Sequence, residues 1–454
     1  MRHRLLRHPL GRWVDPSVAW PALLGDATNS FWLDSGPGAA TGTSYLGAST
    51  RVLTDADGDL FDRLRSELAG SRLVAGAVPG FSLGWVGWLG YELRAATMGE
   101  PVRESRYPGA ALMFVDRALA FDHETREVWL LALGDESARW TPDLSAWRDE
   151  TVATLGNPIG GGQNPRRDDQ PAPVVTWRYT DDEYLAMIAA CQRSIAAGDA
   201  YQLCLTTEAA VDVSPDPFVT YLALRDSSPT HHGGLLVVGD VALLSASPEQ
   251  FLAVSPDGLV SSSPIKGTRR RGTDAADDER LRTELEQSGK ERAENLMIVD
   301  LMRNDIGRIS EVGSVRVPRL LEVESYAHVH QLVSEVTGQL ARGLDAVDAV
   351  FAAFPAGSMT GAPKLSATRI LDELERRPRG IYSGAFGYFG LDGAVDLAMV
   401  IRSIVIDPAG STIGSGGGIT ALSVPAEELD EVHLKAAALL AVLGVDQPPS
   451  SSHI

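Results

Sequence analysis

Short apolar runs broken by glycine constrain this chain more than any other feature. FSLGWVGWLGYEL at 81–93 and ALMFVDRALAFD at 111–122 are too short and too often interrupted for long helices, and they predict strands. The first part of the chain is therefore expected to be sheet-rich. Residues 157–173, NPIGGGQNPRRDDQPAP, then concentrate Gly, Pro and charge with little to bury, which marks a linker. It separates an N-terminal region, 1–156, from a second region, 174–446, and the final QPPSSSHI at 447–454 reads as a disordered tail. With 454 residues, two domains or one large intertwined core are both open.

Beyond the linker, Thr180 predicts a helix N-cap, Glu183 completes a capping box, and Gly198-Asp199 ends the pattern. A strand, YQLCLTTEAAV, is expected next. From His232 to Lys266 apolar runs alternate with turns, including FLAVS, Pro256-Asp257-Gly258 and LVSSS, as in an antiparallel hairpin. Helices are expected near 274–308, 343–354, 363–376 and 426–443.

Several function classes are excluded. Sixty acidic against forty basic residues give a formal charge of -20, which repels nucleic-acid backbones. Cys191 and Cys204 lie apart without CxxC spacing, so neither a disulfide framework nor a thiolate zinc site is indicated. No signal-peptide core and no stretch of about 20 apolar residues for a membrane helix occurs, and the cytosol is the expected compartment. GSMTGAPK lacks the spacing of a phosphate loop. His231-His232 and His328-x-His330 lack acidic or cysteine partners at metal-ligand spacing.

A turn centred between Pro256 and Asp257 places Glu249 opposite about Pro264, with Lys266 just past it, so a carboxylate and an amine meet at the hairpin's open end. Spacing alone leaves a surface ion pair open. Their context is more specialised: SASPEQF holds Glu249, and SSPIKGTRRRG holds Lys266 in a basic turn bounded by Gly267 and Gly272. Further on come AENLMIVDLMRNDIGR at 293–308, FPAGSMTGAPK at 354–364, SGAFGYFG at 383–390, AMVIRSIVI at 398–406, and GSGGGI to EVHLKA at 414–436. In this order they resemble the chorismate-binding family of anthranilate, aminodeoxychorismate, isochorismate and salicylate synthases, over roughly residues 174 to 440. WLDSGPGAA at 32–40 is similar to the family's N-terminal region. The resemblance implies an α+β fold of large, mainly antiparallel sheets in a two-part sandwich with helices packed outside.

It also implies a site. Glu294 and Glu431 match the glutamates that join Mg2+ to the ring carboxylate of chorismate, a donor set suited to magnesium. Glu291 and Glu428 lie one helical turn before them; a solvated face, with Glu431 paired to Lys435, is the alternative. Arg402, Lys435 and the backbones of Gly416 and Gly418 match the substrate-binding set, as do Thr360 and Tyr382. If VDLAMVIRSIVI and STIGSGGGI form a hairpin around 407–410, Arg402 lies opposite about Ser415, beside those glycines, where its fork could grip a carboxylate. Asp34 and Ser35 match a region that holds tryptophan in relatives.

Two positions point to a branch. Lys266 in PIKGT matches the lysine that bonds to C2 of the ring in aminodeoxychorismate synthases, where anthranilate synthases usually have alanine. Gln202 stands where isochorismate and salicylate synthases carry a water-activating lysine. Amination of chorismate at C4 is thereby implied, giving 4-amino-4-deoxychorismate for 4-aminobenzoate, folate or a related secondary metabolite. A lysine amine at its ordinary pKa of about 10.4 is almost wholly protonated at neutral pH, so this chemistry requires a proton acceptor. Arg269, Arg270 and Arg271 are expected to favour the neutral amine, and Glu249 to move the proton. One departure stands out: Gln331 in VHQLVS occupies a position where many relatives have histidine, and it cannot act as acid or base. Gln250 likewise stands where relatives often have arginine.

Neither cysteine lies in the GxCxG elbow of a glutamine amidotransferase, so ammonia is expected from a separate amidotransferase subunit. The alternatives are anthranilate synthase component I, an aminodeoxyisochorismate synthase adding ammonia at C2, and a non-catalytic chorismate-binding subunit.

Overall fold

A computed structural model describes residues 1–156, 172–326 and 329–445. The expected linker falls outside these apart from Ala172 and Pro173, as does the expected tail. Among the described residues two large sheets form, one of 13 strands and one of 10. Their pairings are antiparallel except where Arg2–Pro9 runs parallel to Arg72–Ala75. Helices cover the outer faces, as the expected sandwich requires.

The strand Gly84–Leu89 shows why this architecture suits the glycine-broken runs. All six of its residues are buried, because one face meets the opposite sheet and the other meets helices. Val86 and Trp88 join the core between the sheets, with Phe31, Leu236 and Phe386. Trp85 and Leu89 point the other way, into the core shared with helices Leu60–Gly70 and Gly289–Gly307. A strand buried on both faces loses the apolar/polar alternation of a half-exposed one. Gly87 is required by close approach: a Cβ there would lie 1.8 Å from the Ala111 carbonyl oxygen.

The stretches before and after the linker share both sheets. Asn29–Asp34 pairs with His232–Val238, Trp32 facing Leu235, and Gly84–Leu89 pairs with Ala385–Gly390, Gly87 facing Gly387. Of the two organisations open from length, the described residues form the intertwined one.

The capping box forms as expected: Thr180 and Glu183 cap each other at the start of helix Asp181–Ala197, which ends at Gly198 with φ +86°. The helix expected across 274–308 is two helices, Ala275–Gln287 and Gly289–Gly307, divided at the extended Ser288. The expected hairpin at 256–258 forms one residue out of register, with Ala253 facing Ser261. Its second strand ends at Ser262, and Ile265–Arg270 turns away to pair with Val329–Gln339.

The second hairpin has the expected register, from Ile404 facing Ile413 to Asp407 facing Gly410, which sets Arg402 level with Ser415. Its first half is not one strand. Val395–Met399 belongs to the 10-stranded sheet and Ser403–Asp407 to the 13-stranded sheet. The chain crosses between them at Val400–Arg402, where Arg402 takes a φ of +51°.

A buried guanidinium ties helix Lys364–Glu375, the Gly357–Met359 turn and strand Gln202–Val211 together. Arg379 donates to both carboxylate oxygens of Glu375 at 2.8 and 2.7 Å, to Met359 O at 2.6 Å and to Cys204 O at 2.9 Å. Removing one partner of such a pair leaves an uncompensated buried charge. Arg379→Met is expected to lower unfolding stability by about 3–5 kcal/mol, read as a fall in the urea midpoint.

Candidate active site

Lys266 is aimed by a bulge. Ile265 faces Val333 and Thr268 faces Gln331, so Lys266 and Gly267 together oppose one residue of the partner strand. Gly267 has φ +83°, and a Cβ on it would come within 2.7 Å of Glu291 Cγ and Leu285 Cδ1. The extra residue bends the strand and re-aims its side chain. Lys266 thereby lines a cavity of about 590 Å³, together with Glu249, Tyr382, Arg402 and the Gly414–Gly418 segment.

Glu249 enters from the start of strand Gln250–Val254 and is 9% exposed. Burial raises its carboxyl pKa, while Lys266 and the Ser358 hydroxyl favour its charged form. Ser358, on the short turn Gly357–Met359, was missed in the sequence; its only signal is its place inside FPAGSMTG. Tyr382 packs flat against the glycine strand, since a Cβ on Gly414 would lie 2.1 Å from its Cγ. At Arg402 the enclosing walls push the guanidinium below its usual pKa, opposed by Tyr382 and Glu431.

The helices contribute charge. Gly289–Gly307 brings Lys290, Glu291 and Glu294 to the cavity, and Pro425–Val442 brings Glu428, Glu431 and Lys435. Most of these are already paired. Glu291 receives Arg269 at 2.8 Å, Glu428 receives Lys290 at 3.2 Å, and Glu431 receives Lys435 at 2.7 Å. Lys435 also donates to Gly416 O at 2.9 Å. The basic run beside Lys266 is neutralised likewise, Arg269 by Glu284 at 2.9 Å and Arg271 by Asp278 at 2.6 Å, with Asp277 3.8 Å from Arg270. These pairings offset the positive field that Arg269, Arg270 and Arg271 were expected to exert on Lys266. Among the described residues neither Lys266 nor Arg402 has a carboxylate within 4.0 Å.

Two expected residues stand behind the wall instead of in it. Thr360 is fully buried, and its hydroxyl donates to Ala356 O and Gly357 O at 3.2 Å, bracing the Ser358 turn. Gln202 is 1% exposed and packs beneath Gly418, whose Cβ would fall 2.3 Å from its Nε2; its Oε1 has no hydrogen-bond partner among the described residues.

Asp34 is committed to Arg225 at 2.5 Å, Tyr221 at 3.1 Å and the Gly36 amide at 3.1 Å, while Ser35 lines a separate cavity of about 500 Å³. Gln331 lines both that cavity and the first. His330 turns away, between Ser325 at 2.8 Å and Asp278 at 3.0 Å. A larger cavity of about 1110 Å³ lies along helix Gly289–Gly307, but its lysine, Lys364, is held by Asp305 at 2.6 Å. Both cysteines are buried, and burial pushes the Cys191 thiol up to about 12, far from a nucleophilic thiolate.

Among the described residues no group of three or more His, Cys, Asp or Glu forms a ready cation cage. The Glu294 and Glu431 pair nevertheless fits magnesium, which binds through few carboxylates and completes its shell with water and ligand oxygens. Burial, Glu428 and Glu431 all raise the Glu294 pKa against Lys266 and Lys290, and a divalent cation relieves that repulsion.

The model of the family described as "chorismate binding enzyme" matches residues 28–441. The chain belongs to this family. An aminodeoxychorismate synthase of Streptomyces pristinaespiralis is 44% identical over 94% of the chain, which spans 64% of that relative's length. An anthranilate synthase component 1 of Streptomyces coelicolor is 38% identical, over 94% of this chain and 86% of its own. The crystal structure of anthranilate synthase component I from Streptococcus pneumoniae superposes with a TM-score of 0.75 at 28% identity, covering 95% of this chain and 98% of that one. The family's fold and the expected sandwich agree. No helix among the described residues is long and apolar enough to cross a membrane.

The raised pKa of Glu249 has a consequence for stability. A carboxyl harder to ionise folded than unfolded costs nothing below its unfolded pKa, and its cost grows as pH rises through the folded value. Glu249→Gln is therefore expected to melt above the parent at pH 7.5, the gap closing towards pH 4, as read by calorimetric melting.

Proposed function

We propose that the chain aminates chorismate at C4 to give 4-amino-4-deoxychorismate, with Lys266 as nucleophile and Glu249 as proton carrier. The observation that carries the reading is Lys266 itself: a lysine without an ion pair among the described residues, aimed by a bulge into a cavity where a buried carboxyl faces it. The 44% identical relative named aminodeoxychorismate synthase supports the same branch.

Chorismate is a dianion, and among the described residues Lys266 and Arg402 are the cavity cations without a carboxylate partner. Arg402 can take a carboxylate bidentately, and the glycine strand lets a flat ring approach the backbone. Glu294 and Glu431 would hold Mg2+, which supplies charge neutralisation for the ring carboxylate.

Burial keeps Glu249 protonated to higher pH than a free carboxyl, the state an acid needs. The neutral Lys266 amine adds to C2 as the C4 hydroxyl leaves with the Glu249 proton as water. Ammonia then adds at C4, the Lys266 bond to C2 breaks, and Glu249 recovers its proton from the new ammonium. The sum is chorismate plus ammonia giving aminodeoxychorismate plus water. Gln331 takes no proton in this scheme. The ammonia comes from glutamine through an amidotransferase, free ammonium being the poorer substitute.

Incubation with chorismate, Mg2+ and ammonium, with and without an aminodeoxychorismate lyase, tests the reading. The expected outcome is 4-aminobenzoate only when the lyase is present, with a chorismate-derived adduct on Lys266 by intact-protein mass spectrometry. Lys266→Ala is expected to lower the rate by about 10²-fold or more. Anthranilate formed without the lyase would instead favour the reading suggested by the 38% identical relative, and unchanged turnover in Lys266→Ala would exclude the covalent route.

A further inference from the structure

Lys290 has no part in the reaction scheme, yet it sits inside the carboxylate cluster. It stands one turn before Glu294 on helix Gly289–Gly307 and reaches across to helix Pro425–Val442, where its Nζ lies 3.2 Å from Glu428 Oε1. Its side chain is 48% exposed, whereas that of Glu428 is 3% exposed. The lysine therefore enters from solvent to neutralise a carboxylate that cannot reach solvent. Its ammonium also lies in the fields of Glu294 and Glu431. Of the neighbouring cations, Lys435 is engaged with Glu431 and Arg269 with Glu291, while Lys266 acts on Glu294 without an ion pair among the described residues.

We propose that Lys290 is a resident counter-ion of the metal site: in the ligand-free protein it stabilises the Glu428, Glu294 and Glu431 carboxylates in place of a divalent cation, and metal binding must overcome it. The inference rests on the assignment of Glu294 and Glu431 as the Mg2+ site. An ammonium and a metal ion compete for the same negative field, because each raises the cost of bringing the other close. Glu428 is the hinge of the exchange, since burial makes it costly to leave without a cation. The half-exposed lysine can withdraw to water at little cost, its stem remaining on the helix. Lys290 thus acts as a positioning residue, keeping the glutamates apart from metal until the field of a bound anionic substrate changes the balance.

The test measures metal binding, not turnover. Mn2+ binding to the full chain without chorismate is followed by electron paramagnetic resonance and calorimetry for the parent, Lys290→Met and Lys290→Arg. Lys290→Met is expected to bind Mn2+ about tenfold more tightly, the order expected on removing one competing charge at a partly screened site. Lys290→Arg, which keeps the charge, is expected to stay close to the parent. The melting temperature of Lys290→Met should also rise further on Mg2+ addition than that of the parent, because its unpaired Glu428 gains a cation. Unchanged or weaker Mn2+ binding in Lys290→Met would overturn the exchange. Parent protein that binds no Mn2+ with or without chorismate would overturn the metal site itself, a result distinct from failure of the lysine's role.

Discussion

The pairing of N-terminal strands with C-terminal strands holds both sheets together, and the site depends on it. Gly84–Leu89 lies between Ala110–Val115 and Ala385–Gly390, and His232–Val238 pairs with Asn29–Asp34. The facing glycines Gly87 and Gly387 admit carbonyl groups where a Cβ would clash, at 1.8 Å from Ala111 O and 2.0 Å from Asp396 O. The tryptophans beside them then enter opposite cores, each large apolar side chain contributing about 1.5–3 kcal/mol on burial. The N-terminal region is thus part of the framework on which the cavity walls are hung.

On that framework the cavity wall is an assembly of charges matched nearly one to one. Arg269 meets Glu291, Lys290 meets Glu428 and Lys435 meets Glu431, all pairs between or along elements that the sheets hold in place. The effect of these pairs is to leave a particular remainder. Among the described residues Lys266, Arg402 and Glu294 face the cavity without an ion pair, and Glu249 faces it as a carboxyl that burial makes harder to ionise. A protein of formal charge -20 can in this way turn two cations toward an anionic ligand in a cavity whose other charges are mostly paired.

Backbone irregularities, not regular strands, carry Lys266 and Arg402. Lys266 occupies the bulge beside Gly267, and Arg402 sits with positive φ where the chain passes from one sheet to the other. Thr360 and Gln202, both within matched motifs, serve from behind: one braces the turn that presents Ser358, the other fills the space under Gly418. A motif reveals which residues belong to a site, but the side-chain direction that separates wall from support follows from packing.

The sequence by itself determined the local structure and the membership of the site. The Thr180–Glu183 capping box, the turn at 407–410 with Arg402 level with Ser415 and the glycine-broken strands were legible because caps, turns and short strand runs are local effects, whereas Glu294, Tyr382, Arg402, Glu431 and Lys435, which line one cavity, were named through the resemblance of their motifs. The tertiary structure decided the rest. Spacing could not show that Ile265–Arg270 leaves its hairpin for Val329–Gln339, that Val395–Asp407 divides between two sheets, or that the arginines at 269–271 are neutralised by the following helices. These depend on which strands and charges from distant parts of the chain come together, and that is settled only when both sheets close around a shared core.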